Sequence, residues 1–110
     1  MDLDNRIEMC LLLDVYGSLL TEKQHNIMHK YYEMDISLAE IGLEENISRQ
    51  AVRDALKTAE KILIETEEKL GVVSRYKVLK DLTNEIILNV EQKKDFDIVL
   101  KKLKKLSEIL

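Results

Sequence analysis

Proline is absent from this sequence, and glycine occurs only at Gly17, Gly42 and Gly71. Because these two residue types are the strongest helix breakers, few positions force a helix to stop. Leucine, isoleucine, glutamate and lysine dominate instead, as in helical proteins. No segment alternates between apolar and polar residues over the length of a strand, and no repeat has a solenoid period. The sequence therefore predicts an all-α fold.

Cysteine is almost absent as well, since Cys10 is the only one in the chain. One cysteine excludes an internal disulfide and a cysteine-based zinc site. Its apolar neighbours predict a small buried side chain. His25 and His29 share a helical face, but no third ligand accompanies them, so we expect a solvated face. Without a phosphate loop or a nucleophile paired with a base, the sequence predicts no enzyme, no metal and no cofactor.

Long apolar runs are also lacking, because no stretch of about eighteen apolar residues occurs. The first four residues are acidic rather than basic, unlike the start of a secretory signal. These features predict a cytoplasmic protein without membrane insertion. With 110 residues, the chain buries one modest core, so a single helical domain over residues 1–110 is expected.

Start and stop signals divide the chain into six predicted helices. Helix one ends near Gly17, and helix two follows the capping box of Thr21 and Gln24 and runs to about Glu33. Ser37 opens a helix of two turns, and a fourth helix runs from Ser48 to Gly71. The predicted N-caps of the last two helices are Ser74 and Asp95.

Apolar stripes predict which side chains face the core. The expected stripes are Leu3, Ile7, Met9, Cys10, Leu11 and Val15 in helix one; Ile27, Met28, Tyr31 and Tyr32 in helix two; Val52, Ala55, Leu56, Ala59, Ile62, Leu63, Thr66 and Leu70 in helix four; Leu79, Leu82, Ile86 and Val90 in helix five; and Phe96, Val99, Leu103, Leu106 and Leu110 in helix six. One small core cannot cover all of these, so we expect a homodimer. The alternative is a monomeric bundle in which helices five and six fold back on helices one and four.

Residues 37–62 have the pattern of a helix-turn-helix, and residues 74–110 supply the additional C-terminal helices. Ile41 and Val52 are apolar where the two helices of the motif should meet, and Gly42 is small where their backbones approach. Asn46 suits the left-handed conformation of the turn.

The outward positions of helix four have the chemistry of a nucleic-acid reader. Arginine matches guanine edges and phosphates, and glutamine matches adenine edges. The predicted contact residues are Ser48, Arg49, Gln50, Arg53 and Lys57. Acids slightly outnumber bases over residues 37–61, so binding by one subunit should be weak and salt-sensitive. The alternative is that these are merely solvated positions on a helical hairpin.

Several motifs in this order resemble the YlxM-like family of Gram-positive bacteria, whose helix-turn-helix is of the sigma factor region 4 type. They lie at residues 11–17, 19–24, 31–32, 35, 37–41 and, above all, 47–52 (ISRQAV). The resemblance implies a small DNA-binding regulatory protein that takes part in the signal recognition particle pathway. The alternative is a module that binds protein or signal recognition particle RNA without reading DNA. The resemblance also implies that the signal recognition particle GTPase is a partner.

Two positions depart from the family pattern, which usually has an apolar residue at Glu45 and an aromatic one at Arg53. We expect Glu45 to loosen the packing of helix three and Leu43 to compensate. Arg53 adds positive charge to the reading face.

Lysines cluster near the C-terminus, at positions 93, 94, 101, 102, 104 and 105. On a helix from about 95 to 110, they would flank an apolar stripe. Such a helix either presents a core face with solubilising lysines or docks on a partner helix, an RNA backbone or a membrane surface.

Overall fold

A computed structural model describes the backbone of residues 3–110 and the side chains of residues 5–110. Its helices are α1 (Leu3–Tyr16), α2 (Glu22–Met28), α3 (Leu38–Glu45), α4 (Arg49–Leu70), α5 (Val72–Glu91) and α6 (Phe96–Ile109). A short 3₁₀ turn, Gly17–Leu19, follows α1, and a π-helical turn, His29–Glu33, extends α2. No strand occurs in this part of the chain, which confirms the all-α fold.

The chain packs into two compact units that divide after Gly71. The first contains α1 to α4, and the second is the hairpin of α5 and α6. Within residues 3–110, no helix combines the length and the apolar character that a membrane span requires.

Local side-chain caps start the helices where the sequence predicts them. Thr21 accepts a hydrogen bond from the Gln24 amide, and the Gln24 side chain accepts one from the Thr21 amide. Ser37 accepts from the Glu40 amide, and Asp95 accepts from the Asp97 amide. These caps confirm the predicted starts of α2, α3 and α6, because each cap satisfies a free amide of the first turn.

The predicted start of α5 at Ser74 is wrong. Gly71 ends α4 in the left-handed conformation, with φ of 64°, and α5 begins at the next residue, Val72. Gly71 is the only residue between the two helices, so Ser74 lies inside α5 and does not precede it.

The buried face of α1 differs from the predicted stripe. Leu3 of that stripe lies outside the residues whose side chains are described. Among residues 5–16, Met9 is buried as expected, but the other buried positions are Leu12, Leu13 and Tyr16, while Ile7 and Val15 are exposed. The sequence of α1 is apolar on two faces. The helix packs mainly against α4, the 3₁₀ turn and the π-helical turn, which cover the face that contains Leu12 and Leu13. Tertiary packing therefore selects between the two faces. Cys10 is partly buried, and its Sγ donates to the Tyr32 carbonyl at 3.6 Å.

The long helix α4 forms the centre of the first unit and contacts α1, α2 and α3. Its buried residues are Val52, Leu56, Ala59 and Leu63, all from the predicted stripe. The prediction that Leu70, the last residue of that stripe, faces the core is wrong, because Leu70 is exposed. Two tyrosines also tie α4 to its neighbours: the Tyr16 hydroxyl donates to Glu67 at 2.6 Å, and the Tyr32 hydroxyl donates to Glu60.

The second unit is an antiparallel helical hairpin in which Lys102 of α6 meets α5. Its Nζ lies 2.6 Å from Asn89 Oδ1 and 3.7 Å from Glu85 Oε2. Leu82 and Ile86 of α5 are buried as expected, together with Val73. Four residues predicted to face inward are instead exposed: Val90, Phe96, Leu103 and Leu110. Two helices alone cannot enclose a core, so parts of both stripes stay open.

Candidate nucleic-acid interface

The joint between α3 and α4 has the close packing that a helix-turn-helix needs. Ile41 and Val52 are both 0% exposed. A Cβ atom at Gly42 would lie 2.8 Å from the carbonyl oxygen of Ile47, so the backbones approach as predicted. Asn46 ends α3 in the left-handed conformation, with φ of 58°. The structure confirms the roles expected for these four residues.

The N-terminal turns of α4 present the predicted site residues to solvent. Ser48, Arg49, Gln50, Arg53 and Lys57 are all exposed. The cations at 49, 53 and 57 lie at spacings of four, which places them on one side of the helix. Within residues 5–110, none of the three makes an ion pair or a side-chain hydrogen bond.

Two other cations of the same unit, Arg6 and Lys30, are engaged with carboxylates. Arg6 pairs with Asp35 at 3.2 Å, and Lys30 pairs with Glu44 at 3.0 Å and with Glu45 at 3.1 Å. Hydrogen bonds with these two glutamates raise the pKa of Lys30. Among the described residues, Arg49, Arg53 and Lys57 have no such partner, so the outer side of α4 is available to a negatively charged ligand.

Two polar site residues already have partners. The Ser48 hydroxyl accepts from the Ala51 amide at 3.0 Å, which makes it the N-cap of α4. The side-chain amide of Gln50 donates to Asp54 at 2.9 Å. This bond holds the Gln50 side chain along the helix and places an acid beside the cations.

A shallow cleft beside the cations was not anticipated from the sequence. Its volume is about 260 Å³, and its lining residues are Tyr31, Leu38, Arg53, Leu56, Lys57 and Glu60. The π-helical turn supplies Tyr31, whose ring packs edge-on against Tyr32 with the centroids 5.0 Å apart. Burial, reinforced by the bond to Glu60, raises the pKa of Tyr32, so its hydroxyl stays protonated as a donor. The adjacent tyrosines were the available signal, but the sequence suggested a purely core role.

Glu45 does not act as the sequence suggested. It is partly buried and pairs with Lys30, so α3 is anchored by an ion pair where the family pattern has an apolar contact. The expectation that Leu43 compensates is wrong, because Leu43 is 81% exposed. The position of Lys30 on the π-helical turn, which the sequence did not predict, explains the difference.

The cap of α4 gives a test of local stability. Replacing Ser48 with alanine should lower the free energy of unfolding by about 1 kcal/mol, because the Ala51 amide loses its acceptor. Chemical denaturation followed by circular dichroism measures this. The matched variant Ser48→Asp retains a capping oxygen and should keep wild-type stability. Equal stability of all three proteins would show that the cap is not a stabilising interaction.

The comparisons with known proteins agree with this geometry. Residues 3–105 match the model of the UPF0122 family, described as "Putative helix-turn-helix protein, YlxM / p13 like". The chain belongs to this family. A UPF0122 protein of Clostridium acetobutylicum is 44% identical over 84 residues, which cover 76% of this chain and 72% of that protein. A UPF0122 protein of Clostridium perfringens strain SM101 is 43% identical over 112 residues, covering 98% of both chains.

Membership in UPF0122 confirms the resemblance that residues 11–52 indicated. The match also extends through α5 and most of α6, where the sequence had shown only helical character. The hairpin is therefore part of the UPF0122 sequence and not an unrelated extension. The description of UPF0122 is that of a helix-turn-helix family.

Proposed function

We propose that the protein is a DNA-binding regulator and that the N-terminal turns of α4 contact the nucleic acid. The observation that carries this proposal is the set of three exposed, unpaired cations on one side of α4, at Arg49, Arg53 and Lys57. They belong to the second helix of a closely packed helix-turn-helix, the element that enters the major groove in such motifs. Gln50 and the two arginines are the candidates for base contacts.

The negative charge of the first unit limits its affinity for DNA. Up to Gly71 the sequence has eight basic and fifteen acidic residues, a net charge of −7. Since phosphate neutralisation supplies much of the affinity, binding by one subunit should be weak. Three phosphate contacts predict that log K falls against log salt with a slope of about −3 per subunit.

The triple variant Arg49→Ala, Gln50→Ala, Arg53→Ala tests the proposal. We expect duplex DNA binding to fall at least about thirtyfold, because two phosphate or guanine contacts and one adenine contact are removed. Fluorescence anisotropy with labelled DNA at several salt concentrations measures both affinity and slope.

The matched control is the double variant Lys23→Ala, Lys69→Ala. It removes the same positive charge from exposed positions far from the start of α4 in sequence. Its affinity should change less than threefold, since the specific contacts remain. Wild-type binding by the triple variant, with an unchanged circular dichroism spectrum, would contradict the proposal.

A second candidate function is a protein- or RNA-interaction module of the signal recognition particle pathway. The net charge of −7 favours a protein partner, because so acidic a unit is attracted to a basic protein surface more than to the phosphates of DNA or RNA. The expected partners are the signal recognition particle GTPase and the particle's RNA, which the family resemblance implies. Either role places the protein in the cytoplasm.

A pull-down from cell extract with and without nuclease separates these functions. Loss of all retained partners after DNase but not after RNase would support the DNA-binding regulator, and loss after RNase but not after DNase would support an RNA-interaction module. Retention of the signal recognition particle GTPase after nuclease treatment would support the interaction module.

A further inference from the structure

The hairpin of α5 and α6 leaves much of its apolar surface open to solvent. In α6, all of which the structure describes, no residue is buried, and Phe96 is 74% exposed. The buried residues of α5 are limited to Val73, Leu82 and Ile86. A unit of 39 residues with so few buried side chains needs a further covering surface, because small units rarely hold a core alone.

Most of the exposed apolar residues form one stripe on each helix, and the exposed residues Val78, Leu88 and Ile98 lie off these stripes. Successive helical residues are about 100° apart, so positions three, four, seven or eleven apart share a face. The two stripes together are called the hairpin face; they are Val72, Tyr76, Ile87 and Val90 on α5, and Phe96, Leu100, Leu103 and Leu110 on α6.

Both stripes lie on the same side of the hairpin. On α6, the residues turned towards α5 are the half-buried ones, such as Lys102 and Leu106, and the exposed stripe lies about a quarter turn from them. On α5, the stripe lies about a quarter turn in the same rotational sense from Leu82 and Ile86. Because the two helices run antiparallel, equal rotations point both stripes to one side. They therefore form a continuous apolar surface.

We propose that the hairpin face binds the same face of a second copy of this chain, giving a four-helix bundle at the dimer interface. Summed over its eight residues, the face exposes roughly 700 Å² per subunit, close to the share of a standard protein interface. The largest apolar patch of a typical monomer is smaller, at about 300–600 Å². The apolar area thus matches what a stable dimer needs.

The charge of the rims is also compatible with a second copy as the occupant. The outer rims of the hairpin face carry nearly equal numbers of both signs, with Lys77, Lys80, Lys101 and Lys104 against Glu91, Asp97 and Glu108. Two identical faces with rims so close to neutral repel each other little. A strongly acidic or strongly basic partner would find an excess of only one positive charge along these rims.

The sequence predicts a homodimer without locating its interface, and the proposal assigns that interface to one surface. The sequence suggested that the stripe of α4 also needs a partner, but Val52, Leu56, Ala59 and Leu63 are already buried in the first unit. The interface is therefore assigned to the hairpin alone. It does not depend on nucleic-acid binding.

Sedimentation equilibrium of the full chain at 10–100 µM tests the proposal. These concentrations lie above the micromolar dissociation constants at the weak end for interfaces of this size. The wild type should have twice the 12.8 kDa mass of one chain. Leu103→Glu places a charge in the hairpin face and should give a monomer, because two carboxylates would be buried against apolar partners. The matched control is Ile98→Glu on the opposite side of α6, which should remain dimeric. The two residues are almost equally exposed, at 45% and 46%.

Thermal unfolding distinguishes loss of association from loss of folding. The wild-type melting temperature should rise with protein concentration, whereas that of Leu103→Glu should not, because only association makes stability concentration-dependent. Leu103→Glu should still show a helical circular dichroism spectrum. A wild-type mass near 12.8 kDa at 100 µM would overturn the proposal. A dimeric Leu103→Glu variant, or a monomeric Ile98→Glu variant, would overturn it as well.

Discussion

Replacing Gly42 with alanine is expected to lower the free energy of unfolding by about 2 to 3 kcal/mol. The added Cβ atom would lie 2.8 Å from the Ile47 carbonyl oxygen and 3.5 Å from the Arg49 amide nitrogen. These neighbours are backbone atoms of the turn and of α4, so relief requires the two helices to move apart. Alanine is otherwise the better helix former by about 1 kcal/mol, so local propensity predicts the opposite sign. Chemical denaturation measures the difference.

Gly17→Ala is the matched control for this prediction. The nearest atoms to its added Cβ are Cδ2 and Nε2 of the His25 ring, at 3.0 and 3.1 Å. His25 is exposed, so its side chain can rotate away, and the loss of stability should stay below about 1 kcal/mol. Unchanged or increased stability of Gly42→Ala would mean that α3 and α4 are not in close backbone contact.

Replacing Leu63 with alanine is expected to destabilise the protein by about 3 kcal/mol. Leu63 is 0% exposed and lies on the face of α4 that continues from Val52. Truncation removes about three methyl or methylene groups and leaves a cavity that the surrounding helices fill only in part. Thermal and chemical denaturation both measure this change.

The neighbouring residue Ile64 supplies the control, because it is 42% exposed on the same helix. Ile64→Ala should cost about 1 kcal/mol, since nearly half of the residue already contacts water. Equal losses for the two variants would show that α4 does not bury the face that ends at Leu63. A loss confined to Leu63→Ala would support α4 as the centre of the first unit.

The joint of the candidate interface could be predicted from the sequence because its determinants are local. Caps such as Ser37 and Ser48 satisfy amides only three residues away, and Asn46 is a residue type that adopts the left-handed conformation more readily than most. The exposure of Arg49 and Arg53 also followed from helical periodicity. That these two arginines have no carboxylate partner in the described part of the chain could not be predicted from the sequence. Glu44 and Glu45 lie close to them in the chain, but both pair with Lys30 instead.

The sequence by itself determined where most helices begin and end, since hydrogen bonding at a helix terminus involves residues within one turn. Only the tertiary structure decided which apolar residues are buried. In α1 it selected Leu12 and Leu13 over Ile7 and Val15, and in the hairpin it left Phe96 and Leu103 exposed. The physical reason is that burial depends on which helix packs against a face, and a helix that is apolar on two faces does not encode its partner's position. The π-helical turn was decided in the same way, because it aligns Tyr32 with Glu60 and Lys30 with the end of α3, contacts between residues far apart in sequence.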